Sequence, residues 1–549
     1  MNAQAQQRRL IDRIARMLEA DGKDVGQFET HISRVLVAAG YAFKFKKALR
    51  LPFLDFSTLE ARRFYCQEEC RLNRRLAPGV YIDVAPVGGS LVHPVLGGAG
   101  EAIEYAVRMH AFEQSDLWSK RLAHGLLDGG DVDGLALLLA GFHLDAARAP
   151  PDAGWGAPEG VSASFGDTLA ELRELVPQGA GEDRLPVLGE WESLERMRLG
   201  RAFRHRKAQG MIRACHGDLH CDNILTTNGQ VQAFDCIEFS EDLRWIDVMS
   251  DLAFAHMDLE FHGRPELAAR LLNRYLEITG DYAGLAVFTY YRVYRAVVRA
   301  KVMLLRASQL GTPAGDRAAA RLAGLSYLAF AQRCSRTGQR AIMITHGYSG
   351  SGKTTFSRGV VELLGAIQLR SDVERKRLYG DLAEVAPDGL YSDATTRRTY
   401  EHLRKLATAV VAAGWPVIVD AAFLMAWQRE AFRRLAADMI VPFFVFDVHA
   451  GHTAMRDRIR SRRQSAADAS DADERVLERQ YDASEALAPE ERVHALFIDT
   501  EPGLSPKRVR ETCAPVLSMF RAASQAAQAG PVHAAHIAGQ QRSGDWPQG

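Results

Sequence analysis

One stretch limits the folds open to this chain more than any other. It is THGYSGSGKTTFS, residues 345–357, with the spacing G-x-x-x-x-G-K-[ST]. A strand-like run, AIMIT, leads into it, and a helix-like run, TTFSRGVVELLG, leads out. Glycines at 347, 350 and 352 let the backbone turn so that its N–H groups converge on phosphate oxygens, at a helix start whose dipole favours an anion. Lys353 is placed to reach the terminal phosphates, and the Thr354 hydroxyl to hold Mg²⁺. The expected nucleotide-binding segment is therefore Gly347, Tyr348, Ser349, Gly350, Ser351, Gly352, Lys353, Thr354 and Thr355. Such a loop follows the first strand of its domain, so the long stretch before it must belong to a separate domain.

Five short apolar runs read as buried parallel strands: AIMIT (341), AIQLR (366), PVIVD (416), PFFVFDV (442) and HALFID (494). Helical stretches lie between them, which predicts an α/β domain with a five-stranded parallel sheet over residues 339 to about 524. Asp420 ends the third run, at the sheet edge where a nucleotide sits in such folds, and is a candidate Mg²⁺ ligand. In SDVERKRLYG, Asp372 and Arg375 are three apart and share a helix face. The carboxylate suits an acceptor hydroxyl and the guanidinium an anionic group. MRDRIRSRRQ puts Arg456, Arg460 and Arg463 on one helix face and Arg458 with Arg462 on another, an arrangement suited to closing over a transferring phosphate.

The preceding region, residues 1–338, carries a second polar motif, CHGDLHCDNIL at 215–225. His216, Asp218 and Asn223 have the spacing H-x-D-x-x-x-x-N, and Asp235 follows in QAFDCIEF. Phosphoryl transfer of the protein-kinase type needs one Asp at the acceptor hydroxyl, and an Asn and a second Asp on Mg²⁺. Asp218 is assigned the first role, Asn223 and Asp235 the second. Upstream, SRVLVAAGYAFKFKKAL reads as two strands joined by a tight turn at Ala39-Gly40.

The motif H-G-D-x-H-x-x-N resembles the signature of the aminoglycoside phosphotransferase family. That resemblance implies an α+β, protein-kinase-like bilobal fold with a small lobe to about residue 108. It implies a strand lysine for the phosphates, Lys44 or, with the same facing, Lys46. The lysine's acidic partner is expected on the helix CQEECRLNRRL, at Glu69 or its neighbour Glu68, and EYAVRM from Glu104 is expected to be the hinge at adenine. The later domain resembles the small P-loop kinases grouped with polynucleotide kinase, zeta toxins and gluconate kinase. That resemblance implies that Asp372 is the base and that the Arg456–Arg463 helix, with Arg458 and Arg462, is the lid. The order of the two matches proteins that fuse an aminoglycoside-phosphotransferase-like domain to an AAA-type ATP-binding kinase domain.

Composition narrows the function classes. The 549 residues include 68 basic and 68 acidic side chains, so no global field favours nucleic acid or a membrane surface. The longest apolar run is broken by Gly414, Pro416 and Asp420, so no membrane span is expected. Seven cysteines without a C-x-x-C pair fit reduced thiols and a cytoplasmic setting. Residues 525–549 are small and polar and are expected to be a disordered tail. Arg292, Arg295 and Arg299 share a helix face; if it lined a cleft, the acceptor would be neutral or anionic. The leading expectation is a bifunctional ATP- and Mg²⁺-dependent kinase acting on hydroxyls of small molecules at two sites. The alternatives are a catalytic domain joined to a nucleotide sensor, or a nucleic-acid end kinase in the later domain.

Overall fold

The computed structural model describes residues 3–51, 54–98, 100–179, 181–309, 313–336, 338–380, 392–465 and 473–528, with the backbone alone for 462–465 and 524–528. The chain divides into two units, Met1–Thr279 with Val287–Ser335, and Gly280–Ala286 with Arg336–Gly549. Residues 529–549, most of the expected tail, lie outside the described residues; helix runs as far as Gln528.

The first unit begins with helix α1 (Ala3–Ala20), then strands β1 (Val25–Glu29), β2 (Ser33–Ala38) and β3 (Tyr41–Lys46). Helix α2 (Leu59–Asn73) follows, and β4 (Tyr81–Gly89), β5 (Pro94–Leu96) and β6 (Glu104–His110) complete an antiparallel sheet of order β1-β2-β3-β6-β4-β5. The β2–β3 turn is tight because Ala39 and Gly40 both take positive φ, 53° and 79°, whose twist matches that of the flanking strands. Strand β3, YAFKFK, alternates. Phe43 and Phe45 pack with Leu10, Ile11 and Ile14 of α1. Ala42 packs on the opposite side with Cys66 and Cys70 of α2. Lys44 and Lys46 share the Ala42 face, so both ammonium groups are carried towards α2. Helix α2 starts at Thr58, whose side chain accepts from Ala61 N–H.

The rest of this unit is mainly helical: α3 (Gly129–Asp145), α4 (Pro158–Leu175), α5 (Arg184–Ala208), α6 (Val248–Phe261), α7 (Pro265–Thr279), α8 (Leu285–Ser308) and α9 (Ala314–Cys334). Between α5 and α6 lie β7 (Ile212–Ala214), the hairpin β8 (Ile224–Thr227) and β9 (Gln230–Ala233), and β10 (Trp245–Asp247). The HGDLHCDN motif fills the loop from β7 to β8.

The second unit has β11 (Ile342–His346), α10 (Lys353–Leu364), β12 (Ile367–Arg370), α11 (Ser371–Tyr379), α12 (Asp393–Ala412), β13 (Val417–Asp420) and α13 (Ala426–Asp438). It continues with β14 (Phe443–His449), α14 (His452–Ser465), α15 (Glu474–Ala483), β15 (Ala495–Asp499) and α16 (Ala514–Gln528). The five strands are parallel, in the order β12-β13-β11-β14-β15. Every residue of β13 is buried, as is β11 up to Thr345, because helices cover both faces. Among the described residues no helix is long and apolar enough to cross a membrane.

Candidate active sites

In the first unit the site forms where β3, α2 and the loops after β7 and β9 meet. Glu69 is fully buried and accepts from both strand lysines, Lys44 at 2.8 Å and Lys46 at 2.6 Å. Lys44 also pairs with Asp235, and Lys46 with Glu238. Burial would raise the Glu69 carboxyl, but the two ammonium charges overcome it and hold it at about 2. Burial likewise opposes the charge on Lys44, and Asp235 and Glu69 reverse that, raising it well above the ordinary lysine value. Asp235 takes φ +62°, a left-handed backbone that a non-glycine residue keeps only when its surroundings enforce it. Two groups do so. Its N–H donates to the Tyr81 hydroxyl at 3.2 Å, and the next N–H, of Cys236, donates to Asn73 Oδ1 at 2.8 Å.

The motif loop is held by a buried carboxylate that belongs to no sequence motif. Asp251, in the first turn of α6, accepts from His216 N–H and Gly217 N–H, both at 2.9 Å. Burial works against its charge, but His143, 3.2 Å away, and His216 hold it at about 2. His216 is also buried. Its Nδ1 accepts from Asp218 N–H at 3.2 Å, so the proton sits on Nε2, 2.9 Å from Phe234 O. Asp218 keeps 39% of its side chain exposed, with His220 Nε2 at 3.3 Å. Enclosure favours its neutral form, but His220, Arg299 and His216 outweigh this and hold it well below the usual carboxylate range. Asn223 Nδ2 donates to Asp218 O at 2.9 Å, which leaves the amide oxygen as the donor available to a cation. An amide oxygen and a partly exposed carboxylate, Asp235, are hard oxygen ligands of the kind Mg²⁺ takes, so the residues present fit that ion.

In the second unit the phosphate loop runs from β11 into α10. Gly347, Gly350 and Gly352 have φ of 143°, 80° and 94°. A Cβ at Gly350 would lie 2.5 Å from Met455 O, and one at Gly347 would lie 2.3 Å from Val448 O. The glycines are thus required by backbone angle and by close approach together. Lys353 Nζ rests 2.7 Å from Tyr348 O. Asp420 is buried, which raises its carboxyl. It accepts from the Thr354 hydroxyl and, at 2.9 Å, from Gln368 Nε2. A hydroxyl and a carboxylate side by side beneath the loop also fit Mg²⁺. Asp372 and Arg375 pair at 3.1 Å on α11. Gly350, Gly352, Lys353, Thr354, Asp372, Arg375 and Asp420 line one cavity of about 820 Å³, together with Arg370, Arg397, Tyr400 and Trp427.

The phosphotransferase enzyme family model matches residues 90–288, and the AAA domain model matches residues 342–487. Uncharacterized protein Rv2004c of Mycobacterium tuberculosis (strain ATCC 25618 / H37Rv) is 33% identical over 451 residues, 80% of this chain and 87% of that protein. Uncharacterized protein Mb2027c of Mycobacterium bovis (strain ATCC BAA-935 / AF2122/97) gives the same figures. The chain belongs to this two-domain phosphotransferase family. It is a kinase-class enzyme, with a protein-kinase-like unit followed by a P-loop unit. Among solved structures, a choline kinase from Cryptosporidium parvum Iowa II is 12% identical, covering 56% of this chain and 88% of that one, with a TM-score of 0.38. A gluconokinase from Sinorhizobium meliloti 1021 is 18% identical, covering 34% and 98%, with a TM-score of 0.26.

Within this phosphotransferase the alternatives left open by the sequence take definite places. Lys44 lies beside both Glu69 and Asp235, whereas Lys46 is 1% exposed and walled in behind it. Glu68 points away and pairs with Arg71 at the surface. Glu104 is a correction: it is buried at the start of β6, bonded to Arg62 Nε at 2.8 Å and Gln7 Nε2 at 2.7 Å. The segment EYAVRM is therefore the strand itself, and the chain leaves the sheet only after His110. The face bearing Arg292, Arg295 and Arg299 is packed inward. Arg292 pairs with Glu260, Arg295 donates to Gly217 O at 3.0 Å, and Arg299 lies 3.3 Å from Asp222.

The arginine helix α14 splits by role. Arg458 donates to Gly350 O at 3.2 Å and to Thr500 O at 2.9 Å, so it props the phosphate loop. Arg456 and Arg460 pair with Glu474 at the exposed side. The side chain of Arg462 lies outside the described residues. Ser351 is buried in the loop, and the Tyr348 ring centre lies 4.3 Å from that of Tyr481, the two rings tilted by 36°. Gln480, Thr500 and Asp251 carry no motif spacing; their places follow only from the tertiary fold.

Proposed function

We propose that the chain carries two separate phosphotransferase sites, each moving the γ-phosphoryl group of ATP to a hydroxyl of a small molecule. The observation that carries this reading is that each unit gathers a complete set of groups for the reaction. A lysine for the phosphates, two oxygen donors for a metal and a carboxylate for the acceptor are Lys44, Asn223 with Asp235, and Asp218 in the first unit. They are Lys353, Thr354 with Asp420, and Asp372 in the second.

In the first unit Asn223 and Asp235 would hold Mg²⁺. Bound there, the ion neutralises charge on the phosphates. Lys44 orients the phosphates and is itself oriented by Glu69. Asp218, kept ionised beside His220, accepts the proton of the acceptor hydroxyl. In the second unit the loop N–H groups and Lys353 bind the phosphates, and Thr354 with Asp420 would hold Mg²⁺. Asp372 takes the acceptor proton, steadied by Arg375. Both sites work by placing reactants and by fixed electrostatics rather than by covalent steps on the protein. The buried free thiols suit a reducing, cytoplasmic setting.

A screen of a metabolite extract with γ-labelled ATP tests this. Wild type should label two products, Asp218→Asn only one, and Lys353→Ala only the other. Loss of both products in either single variant would contradict two independent sites.

A further inference from the structure

The first unit contains a second buried lysine–carboxylate pair that the phosphotransfer reaction does not itself call for. Lys46 is 1% exposed and Glu238 6% exposed, and they are in direct contact. Lys46 Nζ also lies 2.6 Å from Glu69 Oε2 and 5.1 Å from the centre of the Phe56 ring. Enclosed on these sides, it cannot reach a nucleotide. Its backbone is fixed as well: Lys46 O accepts from Gln7 Nε2 at 2.7 Å, and Gln7 Oε1 accepts from Ala48 N–H at 2.8 Å.

Two parallel rungs therefore join strand β3 to the segment after β9. The outer rung is Lys44–Asp235 and the inner one Lys46–Glu238, with Glu69 of α2 bridging both lysines. Asp235 and Glu238 are three residues apart on one short segment. Fixing the inner carboxylate fixes the register of the outer one. This matters because Asp235 stands in a left-handed conformation that needs external support.

We propose that Lys46 and Glu238 are a positioning pair that sets the Asp235 carboxylate for Mg²⁺, so that they control metal-dependent nucleotide affinity without touching nucleotide or metal. The proposal rests on reading the first unit as a Mg·ATP site. Groups one layer out from a metal ligand typically change metal affinity by about 10–100-fold when lost.

The test uses the full chain carrying Lys353→Ala, so that only the first unit reports. Binding of the non-hydrolysable analogue AMP-PNP is titrated against Mg²⁺, and ADP binding is measured in EDTA. Glu238→Gln, which keeps the shape and a hydrogen-bond acceptor for Lys46, should raise the Mg²⁺ concentration at half-binding about tenfold and leave ADP affinity in EDTA unchanged. Lys46→Met with Glu238→Gln, which strands no charge, should do the same. If the double variant fails to fold, Glu238→Gln alone decides. A parent-like Mg²⁺ midpoint in folded Glu238→Gln would overturn the proposal, as would an equal loss of metal-free ADP binding, which marks general loosening. Asp235→Asn separates the two layers. If it binds like the parent, the Mg·ATP reading itself fails; if it loses Mg²⁺-dependent binding while Glu238→Gln does not, only the positioning pair fails.

Discussion

Ser349 N–H donates to Gln480 Oε1 at 2.8 Å, so a side chain of α15 occupies one of the loop donors that a phosphate would use. Tyr348 adds to this contact through its ring on Tyr481 and its hydroxyl 3.1 Å from Ser484 Oγ. Nucleotide must displace the carboxamide to use that donor. Gln480→Ala should therefore tighten AMP-PNP binding at the second unit by a few-fold, since one net hydrogen bond is worth about 0.5–1.5 kcal/mol. Isothermal titration with Asp235→Asn silencing the first unit would show it. Weaker binding would instead make Gln480 a direct nucleotide contact.

The close approach of the phosphate loop to α14 predicts a steep cost at Gly350. Gly350→Ala places a Cβ 2.5 Å from a backbone oxygen, at φ +80°. The strain should lower stability by about 1–3 kcal/mol and abolish nucleotide binding in the second unit while sparing the first. Thermal unfolding and AMP-PNP titration check both halves.

Arg458 and Arg456 should part company. Arg458→Ala removes two backbone contacts that support the loop and should weaken nucleotide binding about tenfold, on the scale of 1.4 kcal/mol per decade. Arg456→Ala breaks only an exposed pair with Glu474 and should change little, because solvent and salt screen such a pair. Equal effects in the same titration would contradict the division.

The legible part of this molecule was what chemistry forces into local order. The phosphate loop with its flanking strand and helix, the five-strand alternation and the HGDLHCDN spacing all stand in contiguous sequence. Lys44 and Lys46 could not be told apart because alternation gives both the same face. Only the depth of α2 against β3 leaves one beside Asp235 and seals the other in. EYAVRM reads as a hinge from sequence because a strand and the linker that follows it are both extended, and only the pairing of Glu104–His110 in the sheet separates them. Asp251, Gln480 and Thr500 were invisible for another reason. Each acts through a hydrogen bond to a loop far away in sequence, and a lone Asp in a helix or Gln on a surface helix has no spacing to betray it.

The motif loop also predicts a pH dependence. Asp251 sits at about 2 in the folded chain against an ordinary 3.8. Its folded value is depressed, so its contribution is present above 3.8 and is lost as pH falls towards 2. Thermal stability should drop over that window, and Asp251→Asn should both lower stability at neutral pH and flatten the acid slope. An unchanged slope would mean that the His216 and Gly217 amides do not depend on its charge.

The central claim, two independent Mg·ATP sites, is tested most directly by binding stoichiometry. Calorimetric titration of the full chain with Mg·AMP-PNP should give two sites per chain in wild type. Lys353→Ala and Asp235→Asn should each leave one, and the double variant none. A single site in wild type that either variant abolishes would contradict the account.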